Sequence, residues 1–198
     1  MSVTIYIEGG GSSKELRSRC REGFRGLLDK CGLAGRSPKL VACGSRNDAF
    51  DDFQTACRTR SEGFVALLVD SEDPLSDIEA TWLHLSNRDD WEQPLDTSDE
   101  QVLFMTTCME TWIVADRLSL REHYGHELQE NALPATNELE GRDRHQIQEA
   151  LVRATRNCSN SYSKGKRSFA VLGKLNPGEL KKHLPSFVRV CRILEKKC

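Results

Sequence analysis

Four short apolar runs constrain the fold of this chain more than any other feature of its sequence. They lie at residues 3–8, 38–44, 63–70 and 101–107, and amphipathic helical stretches separate them. The runs do not alternate between apolar and polar residues, which is typical of strands buried on both faces of a parallel sheet. We therefore predict an α/β fold in which a four-stranded parallel sheet is flanked by helices.

The pattern changes near residue 126, where strands give way to loops and helices. We predict an α/β domain over residues 1–125 and a basic, mainly helical C-terminal extension over residues 126–198 that packs on it. The end of the extension can form one helix, or two helices broken at Pro185. The one later stretch with some strand character is FAVL, residues 169–172.

The sequence argues against several classes of protein. No apolar stretch approaches the about 18 residues that span a bilayer, and the N-terminus lacks the features of a signal peptide. The eight cysteines form no CxxC pair, which argues against a structural zinc site. The stretch GGGSSK is not a phosphate-binding P-loop, because no glycine directly precedes Lys14. We expect a cytoplasmic protein that neither binds membranes nor hydrolyses ATP alone.

The net charge of −2 hides an uneven distribution. Residues 158–198 contain ten Lys or Arg and two acids, a net charge of +8, so the rest of the chain carries −10. A basic segment on an acidic body can form a phosphate-binding surface, or it can be a solvated helix face. Charge alone does not decide between these two alternatives.

Acidic side chains follow the first and third predicted strands. Glu8 ends the first strand, Asp70 ends the third, and Glu72 lies two residues further on. Ligands bind at the carboxyl ends of parallel strands, and neighbouring strands lie about 4.8 Å apart. In extended geometry Glu72 points the same way as Asp70, whereas Asp73 points away unless the chain turns at Pro74. The alternative is that these acids only cap the next helix.

Three carboxylates at one sheet edge are suited to a hard cation that prefers oxygen ligands. We predict a site for Mg²⁺, or for Mn²⁺, formed by Glu8, Asp70 and Glu72. The glycines after Glu8 let backbone approach such a site closely.

The motifs YIEGGG and LLVDSED resemble those of Toprim domains. Toprim domains are Rossmann-like Mg²⁺-dependent modules of topoisomerases, primases and overcoming-lysogenization-defect nucleases, with Glu after the first strand and Asp-x-Asp after the third. The resemblance implies a Toprim-like fold and a catalytic role for Glu8, Asp70 and Glu72. The chain departs from the pattern at Glu72, where Asp is usual, so activity and a degenerate domain both stay open.

A narrower resemblance covers most of the chain. METWIVADRLSLREHYG, SYSKGKRSF and LPSFVRVCRIL are similar to segments of a bacterial Toprim-like family of unknown function, often encoded beside ATPases in phage-defence loci. The resemblance implies a defence effector that is controlled by a partner ATPase of the ABC/SMC-like or AAA type. RNA and DNA are both expected targets, and a homodimer is compatible with it.

Two acids of a predicted helix over residues 108–125 are secondary site candidates, as is Asp73. Glu110 can complete a capping box with Thr107, or it can face the ligand edge of the sheet, and the two roles do not exclude each other. Asp116 is most simply a solvated or salt-bridged residue. Trp82 and Trp112 are expected in the core.

The loop KGKR, residues 164–167, carries the highest density of positive charge. In a nuclease, Lys164 and Lys166 would neutralise the charge of the scissile phosphate, and Arg167 and Lys174 would help to hold the nucleic-acid backbone. The alternative is a solvated loop.

The sequence therefore favours a metal-dependent nuclease. A degenerate partner-binding module is the main alternative. A receiver-like signalling domain, phosphorylated at Asp70, is less favoured, because that fold needs an acid pair after the first strand and a lysine after a fifth strand.

Overall fold

A computed structural model describes residues 2–59 and 63–198. The described residues form one parallel sheet of four strands in the order β2-β1-β3-β4. The strands are β1 (Val3–Gly10), β2 (Lys39–Gly44), β3 (Phe64–Asp70) and β4 (Val102–Met105). The predicted four-stranded parallel sheet flanked by helices, consistent with a Rossmann-like or Toprim-like fold, is confirmed.

Helices connect the strands and form the C-terminal part of the chain. The α-helices are α1 (Lys14–Leu28), α2 (Arg46–Arg58), α3 (Thr81–Asp89), α4 (Met109–Ala115), α5 (Arg117–Tyr124), α6 (Arg144–Thr155), α7 (Lys166–Leu172), α8 (Pro177–His183) and α9 (Pro185–Lys197). A π-helical turn, Asp29–Leu33, follows α1. No helix within the described ranges is long and apolar enough to cross a membrane.

The sheet separates two apolar cores, which explains why its strands do not alternate. In β3, Ala66 and Leu68 face a core shared with α1, whereas Val65 and Leu67 face the core of α2 and α3. Successive side chains of a strand point to opposite faces, so a strand covered on both faces is apolar throughout. Trp112 lies in the first core and Trp82 in the second, as expected.

Helix α1 shows how local sequence positions the glycine run after β1. The Ser13 hydroxyl accepts a hydrogen bond from the Leu16 N–H at 3.1 Å and caps the helix. Phe24 and Leu27 are fully buried beneath the sheet, and burying each of these side chains stabilises the fold by about 2 kcal/mol. Helix α1 thus begins directly beside the carboxyl end of β1.

The topology places Glu8 and Asp70 at a switch point. The chain leaves β1 for β2 on one side and later enters β3 on the other, so the connections diverge between β1 and β3. Ile7 pairs with Leu68 in this part of the sheet. Crevices of this kind are the usual ligand sites of open α/β sheets.

The C-terminal helices pack into the same core as β1 and α1. The FAVL stretch does not form a strand: residues 169–172 lie in α7, and Phe169 and Leu172 are buried against α1 and neighbouring helices. Of the two alternatives at Pro185, the break is confirmed, because α8 ends at His183 and α9 begins at Pro185. The domain boundary at residue 125 stays a prediction.

The predicted helix over residues 108–125 is two helices in the structure, α4 and α5. The break falls at Asp116, whose backbone is not helical and whose carboxylate caps α5. Its oxygens accept hydrogen bonds from the Ser119 N–H at 3.0 Å and from the Asn176 N–H at 2.7 Å. The expectation that Asp116 is solvated or salt-bridged is wrong, because the residue is fully buried and satisfied by these donors.

Candidate metal centre

The three predicted ligands lie together at the switch point. One ligand atom from each of Glu8, Asp70 and Glu72 lies within 4.8 Å of the others, and all three residues are partly buried. We call these residues the acid cluster. The cluster could hold a metal ion, because three carboxylate oxygens at this spacing can converge on one cation.

Glu8 connects the two central strands through one of its oxygens. Its Oε2 accepts a hydrogen bond from the Asp70 N–H at 3.2 Å and one from Arg46 Nη1 at 3.4 Å. Its Oε1 accepts no hydrogen bond from residues 2–59 or 63–198. The side chain is therefore oriented by one oxygen while the other stays available.

Asp70 is held in the same manner. Its Oδ1 accepts a hydrogen bond from the Met109 N–H, at the start of α4, at 2.8 Å. Its Oδ2 accepts none from the part of the chain that the structure describes. Burial raises the pKa of Asp70 well above its usual range, and the nearby carboxylates of Glu8 and Glu110 raise it further. The Met109 N–H and the Lys164 ammonium lower the pKa of Asp70 but do not cancel this shift. The surroundings of Asp70 therefore hold too little positive charge to stabilise its ionised form.

Glu72 reaches the cluster by a different route from the predicted one. Its φ is +69°, in the left-handed region, so the extended geometry expected after Asp70 is wrong. Backbone hydrogen bonds cause this turn: the Ser71 N–H bonds to the Met105 oxygen at 3.1 Å and the Glu72 N–H to the Thr107 oxygen at 2.8 Å. Asp73 points elsewhere and pairs with Arg88 at 2.9 Å.

Two arginines contact the same carboxylate oxygen of Glu72. Arg88 and Arg144 both contact its Oε2, Arg88 at 3.4 Å, whereas its Oε1 accepts no hydrogen bond from the described residues. Each carboxylate of the acid cluster thus has one oxygen held by the protein and one that accepts no hydrogen bond from residues 2–59 or 63–198.

A third arginine supports Glu8. Arg46 forms two hydrogen bonds with Asp89, at 3.2 Å and 2.8 Å, and its guanidinium lies 4.9 Å from the centre of the Trp91 ring. The same guanidinium contacts Glu8 and the Asp70 carbonyl oxygen. Asp89 and Trp91 therefore fix the cation that orients Glu8.

A cavity of about 200 Å³ opens between two residues of the acid cluster, Glu8 and Asp70, and the start of α7. Glu8, Asp70, Glu110 and Lys164 line it, together with glycine backbone. Gly10 has a φ of +86°, and a Cβ at this position would lie 2.8 Å from the Arg17 Cα. A side chain at Gly10 is therefore excluded by both space and conformation.

A sequence model of the DUF4276 family, a domain of unknown function, matches residues 7–195. The chain belongs to the DUF4276 family. No curated protein and no solved structure matches it significantly. The matched range contains both the acid cluster and the C-terminal helices, so the DUF4276 domain includes both.

In this DUF4276 chain, Glu110 lines the cavity and does not form the predicted capping box. Within the described part of the chain, Cys108 before α4 makes no side-chain capping bond, and the Thr107 hydroxyl donates instead to the Arg142 oxygen at 3.1 Å. The Glu110 carboxylate is buried and accepts hydrogen bonds from the Tyr162 hydroxyl and from Gln148 Nε2, the latter at 3.3 Å. Glu110 thereby connects α4 to the C-terminal region beside the acid cluster.

The structure separates the four predicted basic residues of the site. Lys164 lines the cavity. Lys166 pairs with Glu15 at 3.4 Å, Arg167 donates to the Ser161 oxygen at 2.7 Å, and Lys174 lies 2.9 Å from His123 Nδ1. The sequence suggested that Lys166 and Arg167 lie in a loop. This is wrong, because the two residues begin α7.

Sequence reasoning missed the arginines and polar side chains that surround the acid cluster: Arg46, Arg88, Arg144, Gln148 and Tyr162. Arg88 had a signal, because it is the single Lys or Arg between Asp70 and Glu100 in a stretch rich in acids. Arg144 had none, because it belongs to a helix that only the folded topology brings to this edge.

Proposed function

We propose that this DUF4276 protein is a Mg²⁺-dependent nuclease, active also with Mn²⁺, that hydrolyses phosphodiester bonds in RNA or DNA. The observation that carries the proposal is the pairing of held and available oxygens in the acid cluster. Glu8, Asp70 and Glu72 each use one carboxylate oxygen to fix the side chain and leave the other without a hydrogen bond from the described residues.

The acid cluster fits the requirements of Mg²⁺. This cation is bound by a few carboxylates and keeps several waters, so three converging oxygens leave room for a substrate phosphate. When bound, the cation supplies Lewis-acid stabilisation of charge at a phosphate oxygen. The raised pKa of Asp70 supports this interpretation, because a nearby cation would favour its charged form.

Residues that line the cavity or hold its carboxylates have separate roles in the proposal. Lys164 is placed to neutralise charge on a phosphate that enters the cavity. Arg46 keeps Glu8 oriented, and the Met109 N–H keeps Asp70 oriented. Preorganised side chains of this kind need no rearrangement during the reaction.

The proposed context is anti-phage defence under the control of a partner ATPase of the ABC/SMC-like or AAA type. Its support is the sequence resemblance alone. We also propose a cytoplasmic location, and a homodimer is compatible with the proposal.

A non-catalytic partner-binding module is the second candidate, and one observation favours it. Arg88 and Arg144 already supply positive charge to Glu72, as a protein-only replacement for a metal would. We do not propose the receiver-like alternative, because the described residues form four strands and that fold needs a lysine after a fifth.

The two candidates differ in metal binding and in cleavage. Labelled RNA and DNA are incubated with the protein and Mg²⁺ or Mn²⁺, and Mn²⁺ binding is measured in parallel by calorimetry. Glu8→Gln and Asp70→Asn are each expected to reduce cleavage by about a hundredfold or more, since even indirect contacts to a metal are worth about 10–100-fold.

Glu22→Gln is the matched control, because Glu22 is an exposed residue of α1 that pairs with Arg19. Cleavage that survives both cluster variants would contradict the assignment of the site. Absence of Mn²⁺ binding by the wild-type protein at millimolar concentration would favour the non-catalytic module, whether or not a partner ATPase is present.

A further inference from the structure

The N-terminal half of α6 contacts one acid of the cluster and the neighbouring Glu110. Arg144 and Gln148 are four residues apart, so they lie on the same face of this helix. Arg144 contacts Glu72, and Gln148 contacts Glu110. Helix α6 therefore supplies two side chains that contact acids of the site, although no motif in its sequence indicates such a role.

The charge of Arg144 is the least compensated among the three arginines of the site. Arg88 contacts the carboxylates of Asp73 and Asp89 in addition to Glu72. Arg46 is bonded to Asp89 by two hydrogen bonds, and its side chain is 13% exposed. Among the described residues, Arg144 pairs with Glu72 alone and shares that carboxylate with Arg88, and its side chain is 31% exposed.

Helix stability does not explain why a basic residue stands at this position. Arg144 is the first residue of α6, where the helix dipole disfavours positive charge. Asp143 already caps the helix, because its carboxylate accepts hydrogen bonds from the N–H groups of His145 and Gln146. A cation added to a helix N-terminus raises the local positive potential, which favours an anionic ligand.

We propose that Arg144, at the start of α6, binds the substrate phosphate beside Glu72 of the acid cluster. The inference rests on the proposed function for its ligand, a nucleic-acid phosphodiester. A guanidinium binds phosphate through two parallel hydrogen bonds, which an ammonium cannot do. When the phosphate replaces Glu72 as the acceptor for Arg144, Glu72 still keeps Arg88 as its partner.

The test measures binding separately from cleavage. Fluorescence anisotropy of labelled 20-nucleotide RNA and DNA single strands is recorded in Ca²⁺, which takes the same oxygen ligands as Mg²⁺. Arg144→Gln is expected to weaken binding about tenfold and to reduce the slope of log K against log salt concentration by about 1. Arg144→Lys is expected to recover the salt slope but only part of the affinity, because it restores charge without bidentate geometry.

The control is Arg121→Gln, which removes an exposed arginine of α5 that pairs with Glu130. This variant is expected to bind like the wild-type protein. Thermal unfolding of Arg144→Gln within about 2 °C of the wild type shows that a loss of binding is not a loss of fold.

Three outcomes would overturn the inference: an unchanged salt slope in Arg144→Gln, an equal loss of binding in Arg121→Gln, or no binding of either strand by the wild type. The proposed function fails differently. Binding that depends on Arg144 without any cleavage in Mg²⁺ or Mn²⁺ would contradict the nuclease but support the phosphate contact. Cleavage in Mg²⁺ or Mn²⁺ together with unchanged RNA and DNA binding by Arg144→Gln would support the nuclease but contradict the phosphate contact.

Discussion

Two charged regions of the molecule use ion pairs in opposite ways. In the acid cluster, each of the three carboxylates keeps one oxygen without a hydrogen bond from the described residues. In α8 and α9, charged side chains are paired with each other or with acids from the body of the protein. The first region retains capacity to bind a cation, whereas the second has used its charge in holding the fold together.

The pairing in the second region explains the uneven charge of the sequence. Seven of the ten basic residues between 158 and 198 form ion pairs: Lys166, Lys181, Lys182, Arg189, Arg192, Lys196 and Lys197. Glu79 and Glu100, which come from the acidic body, accept four of these. The basic segment therefore binds the body of its own chain through these pairs. A charge imbalance in a sequence does not by itself indicate a surface for an external partner.

The largest effect on stability in this comparison is expected at Arg189. Its side chain is 3% exposed, and it donates to Glu79 at 3.0 Å and to the Val102 and Asp99 carbonyl oxygens at 2.8 Å and 2.6 Å. Arg189→Met keeps much of the volume but removes the Arg189 donor to the Val102 oxygen in a buried position, so it should lower the free energy of unfolding by about 2 kcal/mol. Urea denaturation followed by circular dichroism measures the change.

Arg192 supplies the matched control for Arg189, because it pairs with the same Glu79 at 2.5 Å from a side chain that is 60% exposed. Arg192→Met should cost less than about 1 kcal/mol, as exposed ion pairs do. Equal losses at the two positions would show that the pairing with Glu79, and not burial, determines the effect.

A smaller effect, on metal binding, is expected at Glu72, whose two oxygens combine the features of the two regions. Its Oε2 is neutralised by Arg88 and Arg144, as in the C-terminal region, but its Oε1 is available, as in Glu8 and Asp70. If the available oxygen binds metal, Glu72→Gln should weaken Mn²⁺ binding about tenfold, because a neutral amide oxygen replaces a charged ligand. Calorimetric titration with Mn²⁺ gives the dissociation constant.

Asp73 provides the comparison for Glu72. It shares Arg88 as a partner, but its side chain is 64% exposed and lies outside the acid cluster. Asp73→Asn should change the Mn²⁺ dissociation constant less than about twofold, because a solvated charge acts weakly at a distance. Equal weakening in both variants would mean that Glu72 acts only through the local charge.

The sequence predicted the parts of this molecule that depend on periodicity, and missed those that depend on long-range packing. Apolar runs gave the four strands, and the acids that end two of them gave Glu8 and Asp70, because parallel topology brings strand ends together. Glu72 was predicted for the wrong reason, since hydrogen bonds to the backbone at the end of β4 and just beyond it turn the chain at this residue. Of the two alternatives for Glu110, its place at the ligand edge is confirmed and the capping box is not, because Tyr162 and Gln148, distant in sequence, bind its carboxylate.

The surroundings of the site could not be predicted for the same reason. Arg144 follows Glu72 by more than seventy residues and belongs to a helix whose own pattern indicates only an amphipathic stripe. Spacing rules apply within a helix or strand. They do not say which helix will cover a given edge of the sheet.

The smallest expected effect concerns Glu100 and its dependence on pH. Hydrogen bonds and charge from Lys197 and Lys196, at 2.7 Å and 3.0 Å, lower the pKa of Glu100 from 4.5 to about 2. A carboxyl group whose pKa is depressed by folding stabilises the protein above its unfolded pKa, and this contribution is lost as the pH falls from about 4.5 through about 2. Because the side chain is 37% exposed, solvent screening limits the contribution to about 0.5 kcal/mol, or about 1–2 °C in melting temperature.

Glu100→Gln should therefore melt slightly below the wild type at pH 7, and the difference should shrink as the pH is lowered to 3. It should also shrink in 1 M salt, where the Debye length is only about 3 Å. Calorimetry of both proteins across this range provides the measurement. A difference that stays constant with pH and salt would mean that Glu100 acts by packing, and the C-terminal region would then owe less to its ion pairs than Arg189 suggests.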